Sequence, residues 1–398
     1  MAETPPTVSS PSPFAAPPPD RSQVVVIGGG IAGTSAAFHL ASAGIETLLL
    51  ERGSIGEGAT AAAIGVLSPP LRQPFHETVH FRGVETARRI WAFALRSVAA
   101  MGGLIESMGA AAEAALDLGG GHILADAHSL HEVEESYRGL AEAGFPVSWM
   151  EPPSVRDVTH GRGFLGGYRL EGGGSIAPGA TARVLARAAS SAGATVAEGV
   201  SVGDARRREG CMVVETDQGE VRAEMVVYAT HVDSRRFSHF LGDEIVPIRG
   251  QGMVTEPGVT RVRGSYATHW KMNVWRTDAE GRLYLGGWRH DAWDRSYWKT
   301  RPEVDDGLQE GIQGWYQAAF PEHAPLRVAR RWSGIFGWTA DYLPLVGPLP
   351  GRTGELVISG FSGGGLPFAF EAGRVIASII SGGEPIDAAE LLNPRRFT

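Results

Sequence analysis

Between Gln23 and Glu51 the apolar positions fall in three runs separated by glycine. Val24-Val25-Val26-Ile27 is β-branched throughout and closed by Gly28, the pattern of a strand buried on both faces of a parallel sheet. Thr34 to Ser42 is small and apolar and stops before Gly44, which predicts a helix with a glycine end. Thr47-Leu48-Leu49-Leu50 repeats the buried-strand pattern and is closed by Glu51. Strand, glycine turn, helix and strand within ~30 residues predict a βαβ unit with a right-handed crossover.

Further along, Val84, Ile90, Trp91, Leu95 and Val98 recur at helical spacing, so Phe81 to Met101 is expected to be one long amphipathic helix. Asp117 to Val158 mixes short strands with a helix over about 133–143. Pro178 opens a helix that runs to Ala192 before Gly193. Thr195-Val196, Met212 to Val214 and Val221 to Val227 read as short strands. Val246 to Leu285 alternates like antiparallel strands, with a turn over Thr277 to Gly281. Leu356 to Ser359 is again a buried strand, followed by a glycine-rich turn and a helix over about 368–381.

A chain of 398 residues is long enough to divide into two lobes. The net charge of −8 gives no field that would gather polyanions, so nucleic acid is not an expected partner. With Cys211 alone, no internal disulfide and no multi-thiolate metal site can form, in keeping with a reducing compartment, the cytoplasm by default. Cys211 itself reads as a core residue. The first twenty residues are rich in Pro, Ser and Ala without a cationic start or an apolar run, so a disordered tail is expected over 1–21 rather than a signal peptide. No segment reaches the ~18 uninterrupted apolar residues of a membrane span.

The turn Gly28-Gly29-Gly30-Ile31-Ala32-Gly33 places glycines as G-x-G-x-x-G. Gly28 permits the tight strand-to-helix turn, Gly30 lets backbone N–H groups approach a diphosphate, and Gly33 lets the helix pack on the strand. The positive end of the helix faces the phosphates. Such a motif can be only a structural turn. Here it follows a buried strand, opens a helix, and precedes Glu51, whose carboxylate can accept from ribose hydroxyls.

These residues resemble the D-amino acid oxidase superfamily, which includes glycine oxidase, sarcosine oxidase and gamma-glutamylputrescine oxidase. Four segments carry the resemblance: Val24 to Gly33 with Leu48 to Arg52; Gly174 to Pro178 before a helix; Val246 to Gln251; and Trp332 to Asp341 followed by Gly360 to Leu366. The resemblance implies an α/β protein. Its Rossmann-type FAD-binding domain would be built from 22–80, 159–240 and 331–398, and its second, α+β substrate domain, with an antiparallel sheet, from 81–158 and 241–330. It also implies non-covalent FAD, hydride transfer from a carbon bearing nitrogen, and reoxidation by O2 to give an imine and hydrogen peroxide. A dehydrogenase of the same fold, or a flavin-binding protein without turnover, is the alternative. Similar enzymes would place Gly28, Gly30, Ile31, Ala32, Gly33, Glu51 and Arg52 at the nucleotide half. Thr60, Ala61 and Gly65 would lie along the ribityl chain and isoalloxazine, and Val200 beside the adenine. Gly360, Gly363, Gly364, Gly365 and Leu366 would lie near the flavin pyrimidine, where N–H groups stabilise negative charge.

The departures matter equally. Glycine oxidases carry an arginine fork for the substrate carboxylate where this chain has Phe336, which shifts the expected substrate from simple amino acids toward amines. The flavin-linking cysteine of sarcosine oxidases would fall near Gly334, so that covalent route is absent. Lys271 is the candidate for a cation beside the flavin, on a face shared with His269, Asn273 and Trp275; an exposed structural lysine is the competing reading. Tyr266, Trp270, Trp275, Tyr284, Trp288, Trp293, Tyr297 and Trp298 lie within 33 residues and serve either a substrate cage or sheet packing. Trp332 and Trp338 are the better substrate-facing candidates.

His76-Glu77-Thr78-Val79-His80 matches the His-Glu-x-x-His zinc pattern. The extended pattern needs a histidine where Thr86 stands, so these residues are expected to line a channel or solvate a helix, with no metal.

Overall fold

The computed structural model describes residues 13–398 except 70–71, 269–271, 288–292, 324 and 326, and its strands fall into two sheets of eight and one pair. The first sheet runs Leu345–Pro348, Glu355–Ser359, Gly219–Tyr228, Arg21–Ile27, Thr47–Leu50 and Thr195–Ala197, with Cys211–Thr216 and Val202–Arg208 added beside Gly219–Tyr228. Arg21–Ile27 pairs in parallel with both Gly219–Tyr228 and Thr47–Leu50, which is why its apolar run is unbroken: both faces are covered. The helix Ile31–Ser42 lies on one face against Pro178–Ser191 and Gly365–Ser381. It approaches the last so closely that a Cβ on Gly373 would stand 2.6 Å from the Ser35 carbonyl carbon.

The second sheet runs Val328–Trp338, Val246–Thr255, Leu283–Gly286, Val274–Thr277, Ser265–Thr268, Gly121–Ala125, Gly166–Leu170 and Val147–Met150, antiparallel except between Ser265–Thr268 and Gly121–Ala125. One of its faces buries Tyr266, Trp275, Ile312, Tyr316 and Phe320. Tyr266 and Trp275 stack at 5.4 Å, so these two aromatic residues are sheet packing. Gly166–Leu170 and Val328–Trp338 pair in this sheet, whereas on sequence 159–240 and 331–398 group with the nucleotide lobe. Hydrogen-bond partners distant in sequence decide the sheet, and no local pattern records them.

Several element boundaries differ from expectation, each for a local reason. The single long helix over Phe81 to Met101 is two, Phe75–Arg82 and Val84–Ser107, interrupted by Gly83 at φ +80°. The last helix begins at Gly365, not near Phe368, and the first at Ile31, not Thr34, so each takes in residues of the glycine-rich turn before it. Phe14, expected within the tail, is buried, and its carbonyl accepts from the Glu198 N–H at 2.9 Å. Cys211, expected in the core, is half-buried at a strand end, with its thiol on the Arg208 carbonyl. No described helix is long and apolar enough to cross a membrane.

Candidate active site

The dinucleotide turn is fixed by contact. Gly28 sits at φ +108°, and a Cβ on Gly33 would stand 1.8 Å from the Gly28 carbonyl oxygen, so neither position accepts a side chain. Gly30 precedes the helix Ile31–Ser42 without a side-chain cap. A glycine approach to a helix end, with Ile31, Ala32 and Gly33 in its first turn, is a fitting cradle for a diphosphate. Glu51 is held at this turn by two backbone donors, Gly29 N–H at 2.6 Å and Gly53 N–H at 2.8 Å, leaving it lone pairs for a further donor. Val200 is alongside, its N–H donating to the Glu51 carbonyl at 2.9 Å. Arg52 points to the surface and pairs with Asp233 at 2.9 Å.

From the turn a short segment leads to the second sheet. Thr60 Oγ1 accepts from the Ile31 N–H at 3.1 Å, tying the helix Ala59–Ala62 to the start of the dinucleotide helix. Ala61 is exposed. The Ala62 carbonyl accepts from Trp332 Nε1 at 2.9 Å, and the Ala62 methyl fills the space over Gly334. Gly65, at φ +101°, is pressed between the Ile176 carbonyl and Arg276, whose Nε donates to the Ile64 carbonyl at 2.6 Å.

The second glycine turn reaches the same place from the other side. The Ser362 N–H donates to the Gly337 carbonyl at 2.9 Å and the Thr339 N–H to Ser362 Oγ at 3.2 Å, so Gly360 to Gly364 is fastened to the end of Val328–Trp338. Gly364 precedes the helix Gly365–Ser381, again without a side-chain cap, and Leu366 is buried behind it. A Cβ on Gly363 would stand 4.0 Å from the Phe336 ring.

On Val328–Trp338 the alternation of a strand puts Trp332, Gly334, Phe336 and Trp338 on one face. Opposite them Gly250 and Gly252 clear the space: a Cβ there would stand 2.2 Å from the Phe336 ring and 2.6 Å from the Trp332 ring. Trp338 is 4% exposed, with Nε1 lacking any hydrogen-bond partner. The Arg72 guanidinium lies over it at 4.8 Å and over Tyr342 at 5.4 Å, and Arg72 Nη1 donates to Met272 Sδ at 2.8 Å. Tyr297 meets Trp338 edge-on at 6.0 Å. A buried N–H without an acceptor, beside a guanidinium, fits a region that receives a polar ligand.

Trp332, Phe336 and Trp338 are therefore brought together with the Gly363 turn and with the segment from Thr60 to Gly65. Lys271 and His269 lie outside the described residues; Asn273 is buried with both amide atoms unpartnered. Arg72, Met272, Tyr342 and Arg276 escape the sequence reading. Arg276 carries one signal that could have found it, an arginine within an apolar strand. Arg72 carries none.

In the zinc-like pattern, His76 Nδ1 is 2.8 Å from Ser136 Oγ, and His80 is exposed. Burial, and after it Glu132, push the Glu77 carboxyl above its usual range. No group of three His, Cys, Asp or Glu that could hold a metal ion occurs among the described residues.

The family described as DAO, FAD dependent oxidoreductase, matches residues 23–379. Glycine oxidase of Bacillus licheniformis is 28% identical over 369 residues, covering 91% of this chain and 94% of that protein. The crystal structure of glycine oxidase from Geobacillus kaustophilus superposes with a TM-score of 0.80 at 24% identity, over 94% of this chain and 98% of that one. That of L-proline dehydrogenase from P. horikoshii gives 0.81 at 21% identity, over 95% and 98%. These two structures show a shared fold.

Proposed function

The chain belongs to the FAD dependent oxidoreductase family, and on that premise we propose that it oxidises the carbon–nitrogen bond of a small amine or amino acid to an imine, with O2 as the acceptor and hydrogen peroxide as product. FAD, when bound, supplies the hydride acceptor. The residues that fit it are the two glycine-led helix ends at Ile31 and Gly365, Glu51 and Val200 on the nucleotide side, and Thr60 to Gly65 between them. Cys211 is half-buried on Cys211–Thr216, in the other sheet from the strand that carries Gly334, which supports non-covalent binding.

The observation that carries the substrate class is the Arg72 guanidinium lying over the ring of Trp338, whose buried Nε1 has no hydrogen-bond partner. Phe336 stands where the resemblance expects an arginine, and Arg72 brings a cation to the end of the strand from a different segment. A guanidinium and an indole N–H can hold a carboxylate, which restores small amino acids as substrates beside amines. Trp332 and Phe336 supply ring faces that exclude water and orient the carbon to be oxidised. No side chain is assigned as base, since an amine bound in its neutral form needs none.

Peroxide release in air, measured across small amines and amino acids, tests the proposal. Peroxide with at least one amino acid supports it, and imine formation only with an artificial electron acceptor supports the second reading, a dehydrogenase, which the L-proline dehydrogenase likeness favours. A cytoplasmic location goes with the single cysteine.

A further inference from the structure

Arg276, on Val274–Thr277, is 4% exposed. Its described contacts are the Ile64 carbonyl, at 2.6 Å from Nε, and the face of Tyr284, 4.1 Å from the guanidinium carbon. Asp278, the nearby acidic group, is 3.9 Å from Arg282 instead. Burial pulls the Arg276 pKa down, yet an arginine so placed stays charged. A buried cation without a carboxylate beside it is costly, and the cost is recovered where an anion arrives from outside the protein.

Its position says which anion. The Arg276 side chain presses on Gly65, at the end of the segment that Thr60 ties to the dinucleotide turn. Tyr284, beneath it, meets Trp332 edge-on at 6.5 Å, and Trp332 is bound to Ala62 of the same segment. We infer that Arg276 is the counter-charge for the flavin ring system, placed to stabilise the negative charge that the ring gains on reduction. A hydride given up by the substrate carbon, as the nitrogen lone pair forms the C=N bond of an iminium, would bring a bound ring two electrons and one proton, hence one negative charge. Arg276 acts on this charge through space. The inference rests on the FAD reading and extends it to one residue.

Sulfite is a suitable probe, because it adds to oxidised flavin and leaves a negative charge on the ring without any turnover. Titrated into the holoenzyme, it should bind and bleach the visible flavin band. In Arg276→Gln binding should weaken by about 30-fold, as expected for removing one cation at an effective dielectric constant of ~20. Arg276→Lys, which keeps the charge but not the geometry of the Ile64 bond, should stay within about threefold of the parent. Equal losses in both variants, or no loss in Arg276→Gln, would overturn the inference in favour of a purely structural clamp. Failure of the parent holoenzyme to bind sulfite would overturn it without any variant. A colourless protein that takes up no FAD would instead remove the reading beneath it.

Discussion

The Arg72 guanidinium lies 4.8 Å from the ring centre of Trp338, whose buried Nε1 has no hydrogen-bond partner, although the two residues stand far apart in the chain. This pair, rather than position 336, gives the candidate pocket its cation. Arg72→Met should therefore lower kcat/KM for amino acids by about 100-fold while changing it for amines without a carboxylate by less than about threefold. Steady-state kinetics on matched pairs, such as an N-methyl amino acid and the corresponding amine, would check it. Equal losses on both would reduce Arg72 to packing.

Two glycine substitutions should separate cofactor from substrate. A Cβ at Gly33 meets backbone, the Gly28 carbonyl at 1.8 Å, and cannot be relieved by a rotamer change. Gly33→Ala should yield protein without bound FAD, destabilised by several kcal/mol, roughly the upper end of overpacking costs. A Cβ at Gly250 meets the Phe336 ring, which can turn. Gly250→Ala should keep its flavin and lose activity by about tenfold through a displaced ring. Flavin content by absorbance and thermal melts would distinguish the two.

How far these relationships were legible in the sequence depends on their range. The turn from Gly28 to Gly33, the strand before it and Glu51 after it are local, and their residue types state the backbone they need. Trp332, Phe336 and Trp338 were legible through alternation on one strand. Arg72 was not, because it follows no periodicity and acquires meaning only when its segment folds over a strand about 260 residues later. The break at Gly83 is not legible because apolar spacing continues across it, and only the positive φ marks two helices.

Acid should weaken the fold through His39, His231 and His122, whose pKa values burial pulls down to about 4; His122 serves as the example. It is buried, stacked on Tyr266 at 4.3 Å, with Nδ1 3.0 Å from the Ser265 carbonyl oxygen, and burial pulls its pKa from 6.5 down to about 4. The folded protein keeps this ring neutral while the unfolded chain takes up a proton. Its contribution is therefore intact above pH 6.5, falls as pH drops toward 4, and then levels off, a loss on the order of 3 kcal/mol. Melting temperatures between pH 8 and 4 should decline in that window, and His122→Gln should make the decline shallower without abolishing it, since His39 and His231 remain. An unchanged slope would place the acid sensitivity elsewhere.

The central claim is that this chain binds FAD between its two glycine turns and uses it to oxidise a carbon–nitrogen bond. The most direct measurement is the visible spectrum of the purified yellow holoenzyme, mixed without oxygen with a panel of small amines and amino acids. The account predicts that at least one of them bleaches the flavin band and that an imine, or the carbonyl compound and ammonia from its hydrolysis, appears in equal amount. A holoenzyme whose flavin stays oxidised with every member of the panel, yet is reduced by a substrate with no carbon–nitrogen bond to oxidise, would contradict it.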